Sequence, residues 1–264
     1  MPRNGSFAIL FNTLVVMFML APLVIVCLVA FTPENTLSLP GWTWSLRWFR
    51  KVFEHPDFVT SFINSLWLAT VSASLAVGLA VPASLAITRG NFPGRQALEG
   101  LFLSPLVIPH LVLGVALLQM FARIGATGSF VWLALAHVVV ITPYAMRLLI
   151  AAMTGYDRSV EHAALSLGAS RLTVFRRITL PMILPGVSGG WLLCFINSFD
   201  EVTMSIFITA PSTITLPVKM YMYATESIDP MMAAVSALIV GLTAATALLL
   251  DRIYGLDRVL VGQR

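Results

Sequence analysis

In the run FINSFDEVTMSIFI, Phe195 to Ile208, two carboxylates stand side by side in apolar surroundings, Asp200 and Glu201. Near the centre of a membrane helix each ionised carboxylate costs about 2.5 to 3.5 kcal/mol, so the pair must face protein or water rather than lipid. Asn197 lies three residues before Asp200 and four before Glu201, which puts all three on one side of a helix, with Thr203 extending a polar stripe. Such a stripe has two uses. It can line a passage, offering negative charge to a cationic solute or holding a gate closed through hydrogen bonds to a neighbouring subunit. It can instead be a buried structural network, for which Arg123 is a candidate partner.

Other chemically capable residues fit less well. Gly186 to Gly189 read GVSG, the setting of the nucleophile in rhomboid-type intramembrane proteases, and such a serine needs a general base within hydrogen-bond reach. The histidines, His55, His110, His137 and His162, all precede Ser188, whereas the rhomboid base lies in a later span. Gly186, Gly189 and Gly190 beside Pro185 read more simply as close helix packing. His110 and His137 are candidates for a proton relay, which would make the protein a proton-coupled secondary transporter, although His137 is equally able to bond a neighbouring helix. Cys27 and Cys194 have no His or Cys at metal-ligand spacing, and Met220, Met222, Met231 and Met232 read as packing residues, so no metal site is expected. Neither Lys51 nor Lys219 sits in the glycine-rich loop that cradles nucleotide phosphates. Any ATP-driven work therefore needs a separate ATPase chain.

The elements that carry these residues are set by composition. Of 264 residues, 58% are hydrophobic and only 11% are charged, against roughly 25% charged in soluble domains. A hydrocarbon core about 30 Å thick takes about 20 residues of helix. Six runs qualify, at about 7–31, 62–88, 98–121, 130–153, 182–209 and 231–250. The first follows Arg3 and exceeds the roughly 7 to 15 apolar residues of a signal peptide, so it reads as a retained helix. The fold class is all-α and polytopic, a single membrane domain. Six spans put both ends on one side, and the basic residues choose that side. With the N-terminus inside, only Arg47, Arg50, Lys51, Arg123 and Lys219 of the 16 Lys and Arg fall outside, which favours an N-in, C-in topology. The formal net charge of +4 is thus a matter of topology, and nucleic acid is not an expected partner. Between the first two runs, Thr32 to Asp57 reads as an interfacial helix anchored by Trp48, Phe49 and Phe53, or as a docking surface with Arg50 and Lys51. Pro22, Pro82, Pro105, Pro109, Pro143 and Pro185 predict kinked spans.

The inside linker from Tyr156 to Gly186, YDRSVEHAALSLGASRLTVFRRITLPMILPG, predicts two short amphipathic helices. Asp157 or Ser159 caps the first, Glu161 complements its dipole, and Gly168 stops it. Ser170 caps the second, which carries Leu172, Phe175 and Ile178, and Pro181 closes it. A helical hairpin of this kind is a docking element, or an interfacial hairpin with no partner.

This segment resembles the EAA loop of the permease subunits of bacterial binding-protein-dependent ABC importers. The family pattern is Glu-Ala-Ala, three residues, Gly, nine residues, Ile, one residue, Leu-Pro. Ala163, Ala164, Gly168, Ile178, Leu180 and Pro181 fall at those spacings, and His162 stands where the pattern has Glu, directly after Glu161. SPLVIPHLVLGVALL, SFDEVTMSIFITAP and TLPVKMY are similar to the subfamily that imports spermidine and putrescine, with relatives that handle opines, phosphonates and other small charged solutes. Within it, the chain resembles the second, shorter type of permease. The resemblance implies a type I ABC importer permease fold in a bacterial inner membrane. It implies a cytoplasmic coupling helix within 156–181 that docks on an ATPase dimer, which binds ATP and Mg. It further implies a homologous sister permease, giving a heterodimer, and an extracytoplasmic solute-binding protein. On that reading Glu161, His162, Ala163, Ala164, Gly168, Ile178, Leu180 and Pro181 form the coupling loop, while Asn197, Asp200 and Glu201 line or gate the pathway. No bond chemistry is expected.

Overall fold

The computed structural model describes residues 5–254. Every regular element among them is helical. In chain order these are α1 (Ser6–Val29), α2 (Arg47–Glu54), α3 (Pro56–Arg89), α4 (Arg95–Leu103), α5 (His110–Arg123), α6 (Phe130–Thr154), α7 (Ser159–Ser166), α8 (Arg171–Val174), α9 (Leu180–Phe199), α10 (Ser205–Ile208), α11 (Leu216–Glu226) and α12 (Met231–Tyr254). Among the described residues, four helices are long and apolar enough to cross a membrane: Phe7–Val29, Pro56–Arg89, Phe130–Thr154 and Arg171–Phe199. The apolar part of α12, Met231–Thr246, is shorter.

Two expected spans are broken. The run at 98–121 is a pair of helices bent by 99°. Pro105 has no N–H to give the Leu101 carbonyl, and Pro109 biases Ile108 away from helical geometry. The Ser104 hydroxyl donates to Leu101 O at 2.8 Å and takes up the freed acceptor. The run at 182–209 stops at Phe199, with Asp200 as the C-terminal cap, and α10 follows as a single turn. The opposite correction applies at Pro181, which does not close the loop. α8 passes through a π-helical stretch, Phe175–Thr179, into α9, so Arg171–Phe199 is one 29-residue helix. Pro181 stands in the first turn of the α-helical part, where a missing N–H costs little, and the wider π turn absorbs the change.

The chain divides into two compact units. Among the described residues, the smaller holds those up to Thr60 and those from Met220 to Tyr254. In it α12 packs along α1 and α2. Trp48 is buried there instead of anchoring at an interface. Its indole N–H donates to Glu34 O at 3.1 Å, and Arg47 and Lys51 lie over its ring at 4.8 and 4.7 Å. Phe53, Trp42 and Trp44 are the exposed aromatics of that segment.

The larger unit, Ser61 to Lys219, holds a continuous apolar core centred on α6, whose Ile141, Ala145, Met146 and Leu149 are fully buried. α9 lies against α6 at close range because its facing residues are glycines. A Cβ on Gly186 would stand 2.6 Å from Ala152 Cβ, and one on Gly190 would stand 3.5 Å from Ala145 Cα. Close backbone approach between small residues is how membrane helices gain contact without a hydrophobic drive between them. Gly186→Ala is therefore expected to destabilise the protein by about 1 to 3 kcal/mol through overpacking, with Ala152→Gly restoring it. Thermal unfolding in detergent measures both; an unchanged melting temperature for Gly186→Ala would contradict the packing described.

Candidate functional site

The first cluster forms where the loop after α6 meets the end of α3. Asp157 Oδ1 accepts the Ser159 N–H at 2.9 Å and starts α7. Gly168 ends it with φ of +87°, a conformation that disfavours any other residue. The Ser170 hydroxyl accepts the Thr173 N–H at 3.2 Å and starts α8. Between these signals α7 turns Glu161 inward. Its Oε1 lies 2.7 Å from Arg89 Nη2 and accepts the hydroxyls of Tyr156 and Thr179. Arg89 Nη2 also donates to Tyr156 Oη at 2.7 Å, and Arg158 Nη2 donates to Thr88 O at 2.5 Å.

Of the residues expected to form a docking loop, Glu161 thus faces its own chain. His162, Ala163, Gly168 and Pro181 are exposed, while Ala164, Ile178 and Leu180 are half-buried. Val160, Leu165, Leu167 and Leu172 form an exposed apolar edge beside them, with Leu167 89% exposed. Nothing in the sequence near residue 161 points to Arg89 or Thr179, whereas Tyr156 lies only five residues before it, in the turn that leads into α7.

Burial pushes the Glu161 carboxyl up, but the hydrogen bonds from Thr179 and Tyr156, together with the Arg89 charge, outweigh it and hold the group below the usual glutamate range. A depressed folded-state value stabilises the loop at neutral pH, and that contribution is lost as pH falls through it. Hydrogen-exchange protection of the α7 amides is expected to decline on acidification. Protection that holds or rises as pH falls would count against this account.

The second cluster surrounds the break after α9. Because the helix ends at Phe199, Asn197, Asp200 and Glu201 do not share the expected stripe. Asn197 Nδ2 donates to Leu193 O at 2.8 Å, and Asp200 is exposed. Glu201 is buried. Its Oε1 accepts the Met204 N–H at 2.7 Å, and its Oε2 lies 2.8 Å from His110 Nδ1, so the ring N–H donates to the carboxylate. His110, at the start of α5, is thus the partner of Glu201, and Arg123 is exposed. Gly114 brings α5 close to the same turn, since a Cβ there would lie 3.0 Å from Met204 Cα. On the α6 side, buried His137 bonds Ser198 at 2.8 Å through Nδ1 and Ser205 at 3.0 Å through Nε2. A neutral imidazole has one donor and one acceptor, so one hydroxyl gives and the other receives, and the ring ties α9 to α10 across the break. The Ser188 hydroxyl donates to Pro185 O at 3.1 Å within α9.

One cluster joins the ends of long apolar helices beside an exposed helical loop, and the other lies at the break after α9, an arrangement that fits a transport subunit. Residues 76–256, more than half of the chain, match the family described as binding-protein-dependent transport system inner membrane component. The chain belongs to this family. It is accordingly a multi-pass permease subunit of the inner membrane and not an enzyme. The spermidine/putrescine transport system permease protein PotC of Haemophilus influenzae is 30% identical over 240 residues, covering 90% of this chain and 93% of the relative. The putrescine transport system permease protein PotI of Escherichia coli is 31% identical over 232 residues, covering 85% and 82%. The crystal structure of a bacterial ABC transporter involved in the import of the acidic polysaccharide alginate contains a chain of the same fold. It matches with a TM-score of 0.70 over 96% of this chain and 98% of that chain, at 15% identity.

Proposed function

We propose that this permease forms half of the translocation pathway of an ATP-driven importer for a small charged solute, with polyamines the favoured class. The observation that carries the coupling part is the loop itself. α7 presents Val160, Leu165 and Leu167 outward while every strong polar contact of Glu161 is satisfied inside the chain. An exposed apolar edge on an otherwise well-bonded loop is a surface made for a partner. That partner is a separate ATPase dimer, which supplies the ATP and Mg chemistry this chain has no motif for.

The membrane topology is six spans with both termini inside. It counts the bent pair Arg95–Leu106 and His110–Arg123 as one span and Met231–Thr246 as the last. The arginine distribution supports that orientation. A distinct sister permease completes the pathway, and an extracytoplasmic binding protein delivers solute on the outer side.

The geometry supports a lever. Docked at α7, the ATPase displaces the foot of α8, and the unbroken helix Arg171–Phe199 carries the motion over about 43 Å to the break at Asp200. There His110 and Gly114 join the moving end to α5, and Asp200 offers an exposed carboxylate to a cation. The polyamine class rests on the names of the two relatives together with that carboxylate.

Uptake by proteoliposomes holding this chain, its ATPase, the sister permease and the binding protein tests the reading, with labelled putrescine or spermidine compared with an anionic phosphonate. ATP-dependent polyamine uptake is expected. Uptake driven by a proton gradient without ATP would overturn the importer reading, and uptake of phosphonate alone would replace the solute class.

A further inference from the structure

The inward face of α7 carries a further role, which rests on the importer reading above. One carboxylate oxygen, Glu161 Oε1, receives three donors from three different elements. Arg89 comes from the end of α3, Tyr156 from the turn after α6, and Thr179 from the π stretch that feeds α9. A second contact runs the other way, from Arg158 at the start of α7 to the Thr88 carbonyl in the last turn of α3, where a positive charge also complements the helix dipole. The Arg89 guanidinium lies 5.6 Å from the Tyr156 ring centroid, which fixes its approach.

α7 has only eight residues, too few to hold a helical orientation without tertiary contacts. Leu167 and Val160 on its outer face are exposed, and its packing within the chain is against α8 and the π stretch behind it. Orientation must therefore come from the inward joint. Glu161 is only 8% exposed, so a protein docking on the loop surface would meet its neighbours and not its carboxylate.

We infer that Glu161 and Arg89 are positioning residues for energy coupling: their buried contact locks α7 to the ends of α3, α6 and α9, so that a pull on the loop moves three helices as one body. Without the lock, a docked ATPase tilts α7 locally and spends its stroke on the loop. Hydrolysis then continues while the pathway lags behind. A residue that merely stabilised the fold would lower assembly, uptake and hydrolysis together.

The test measures ATP hydrolysis and solute uptake in the same proteoliposomes containing the full four-component assembly. For Glu161→Gln, uptake per ATP is expected to fall roughly tenfold, within the usual span of coupling energies, with hydrolysis persisting. Arg89→Ala should give the same ratio, and the double variant should be no worse than either single one, because both remove one contact. Arg89→Lys keeps the charge with fewer donors and should restore part of the ratio. If Glu161→Gln fails to assemble, Thr179→Val removes one donor only and should shift the ratio in the same direction. An unchanged ratio, a proportional loss of both activities, or independent effects that multiply in the double variant would each overturn the inference. Absence of ATP-driven uptake by the unaltered assembly would overturn the importer reading, and this inference with it.

Discussion

Replacing Gly168 by Trp is expected to abolish solute uptake while ATP hydrolysis by the partner ATPase continues. Gly168 ends α7 with φ of +87°, and its N–H bonds Leu165 O at 3.0 Å while the next N–H, of Ala169, bonds Ala164 O at 3.1 Å. Any L-residue in that conformation costs about 1 to 2 kcal/mol, so Gly168→Ala alone should weaken coupling by about 5-fold to 30-fold. Trp adds something else. Among the described residues, apart from its two chain neighbours, nothing lies within 4 Å of a Cβ at that position, so the indole would stand in open space on the surface proposed to dock. The comparison separates the two effects: strain acts in both variants, obstruction in Trp alone. Equal activity of the Ala and Trp variants would remove the docking assignment, and normal uptake by an assembled Trp variant would remove the strain effect as well.

The second large effect divides the neighbouring carboxylates. Glu201→Ala leaves His110 and the Met204 N–H without their acceptor in a buried turn. Leaving a buried hydrogen-bonding group without its partner costs about 1 to 3 kcal/mol, enough to lower the melting temperature clearly and to reduce assembly. Asp200→Asn should leave stability within about 0.5 kcal/mol, as exposed substitutions do, and yet reduce uptake of a cationic solute. Thermal unfolding and uptake on the same preparations give both answers. A stable Glu201→Ala variant would show that the contact with His110 holds nothing together. Full uptake by Asp200→Asn would take that carboxylate off the pathway.

Much of this architecture was legible in the sequence because its causes are local. Apolar runs gave the long helices. Ser170, Gly168 and Asp157 marked the ends of the loop helices by side-chain and backbone chemistry that acts within a few residues. The glycines at 186, 189 and 190 announced a close helix contact, and α6 supplies it.

What escaped was decided at a distance. A helix continuing from Leu193 past Asp200 satisfies every local preference. At the helix end Glu201 accepts the Met204 N–H and meets His110, which lies 91 residues earlier. Glu161 reads as a dipole-favouring residue until Arg89 from the end of α3 and Thr179 from the π stretch are brought to it. Trp48 suits an interface by type but is buried, held by Glu34 O fourteen residues before it. Pro105 and Pro109 were visible as kinks, and only the three-dimensional path showed that two such positions turn the chain by 99°. Pro181 misled in the opposite sense, since a helix interior tolerates proline where a π turn precedes it.

The central claim is that a separate ATPase grips the outer edge of α7. The most direct measurement places a photo-activated cross-linker at Leu167, 89% exposed, in the assembled complex and identifies what it captures with and without ATP. An adduct with the ATPase is expected, with a yield that changes with nucleotide. An intact complex in which Leu167 captures only lipid, or only the sister permease, would contradict it.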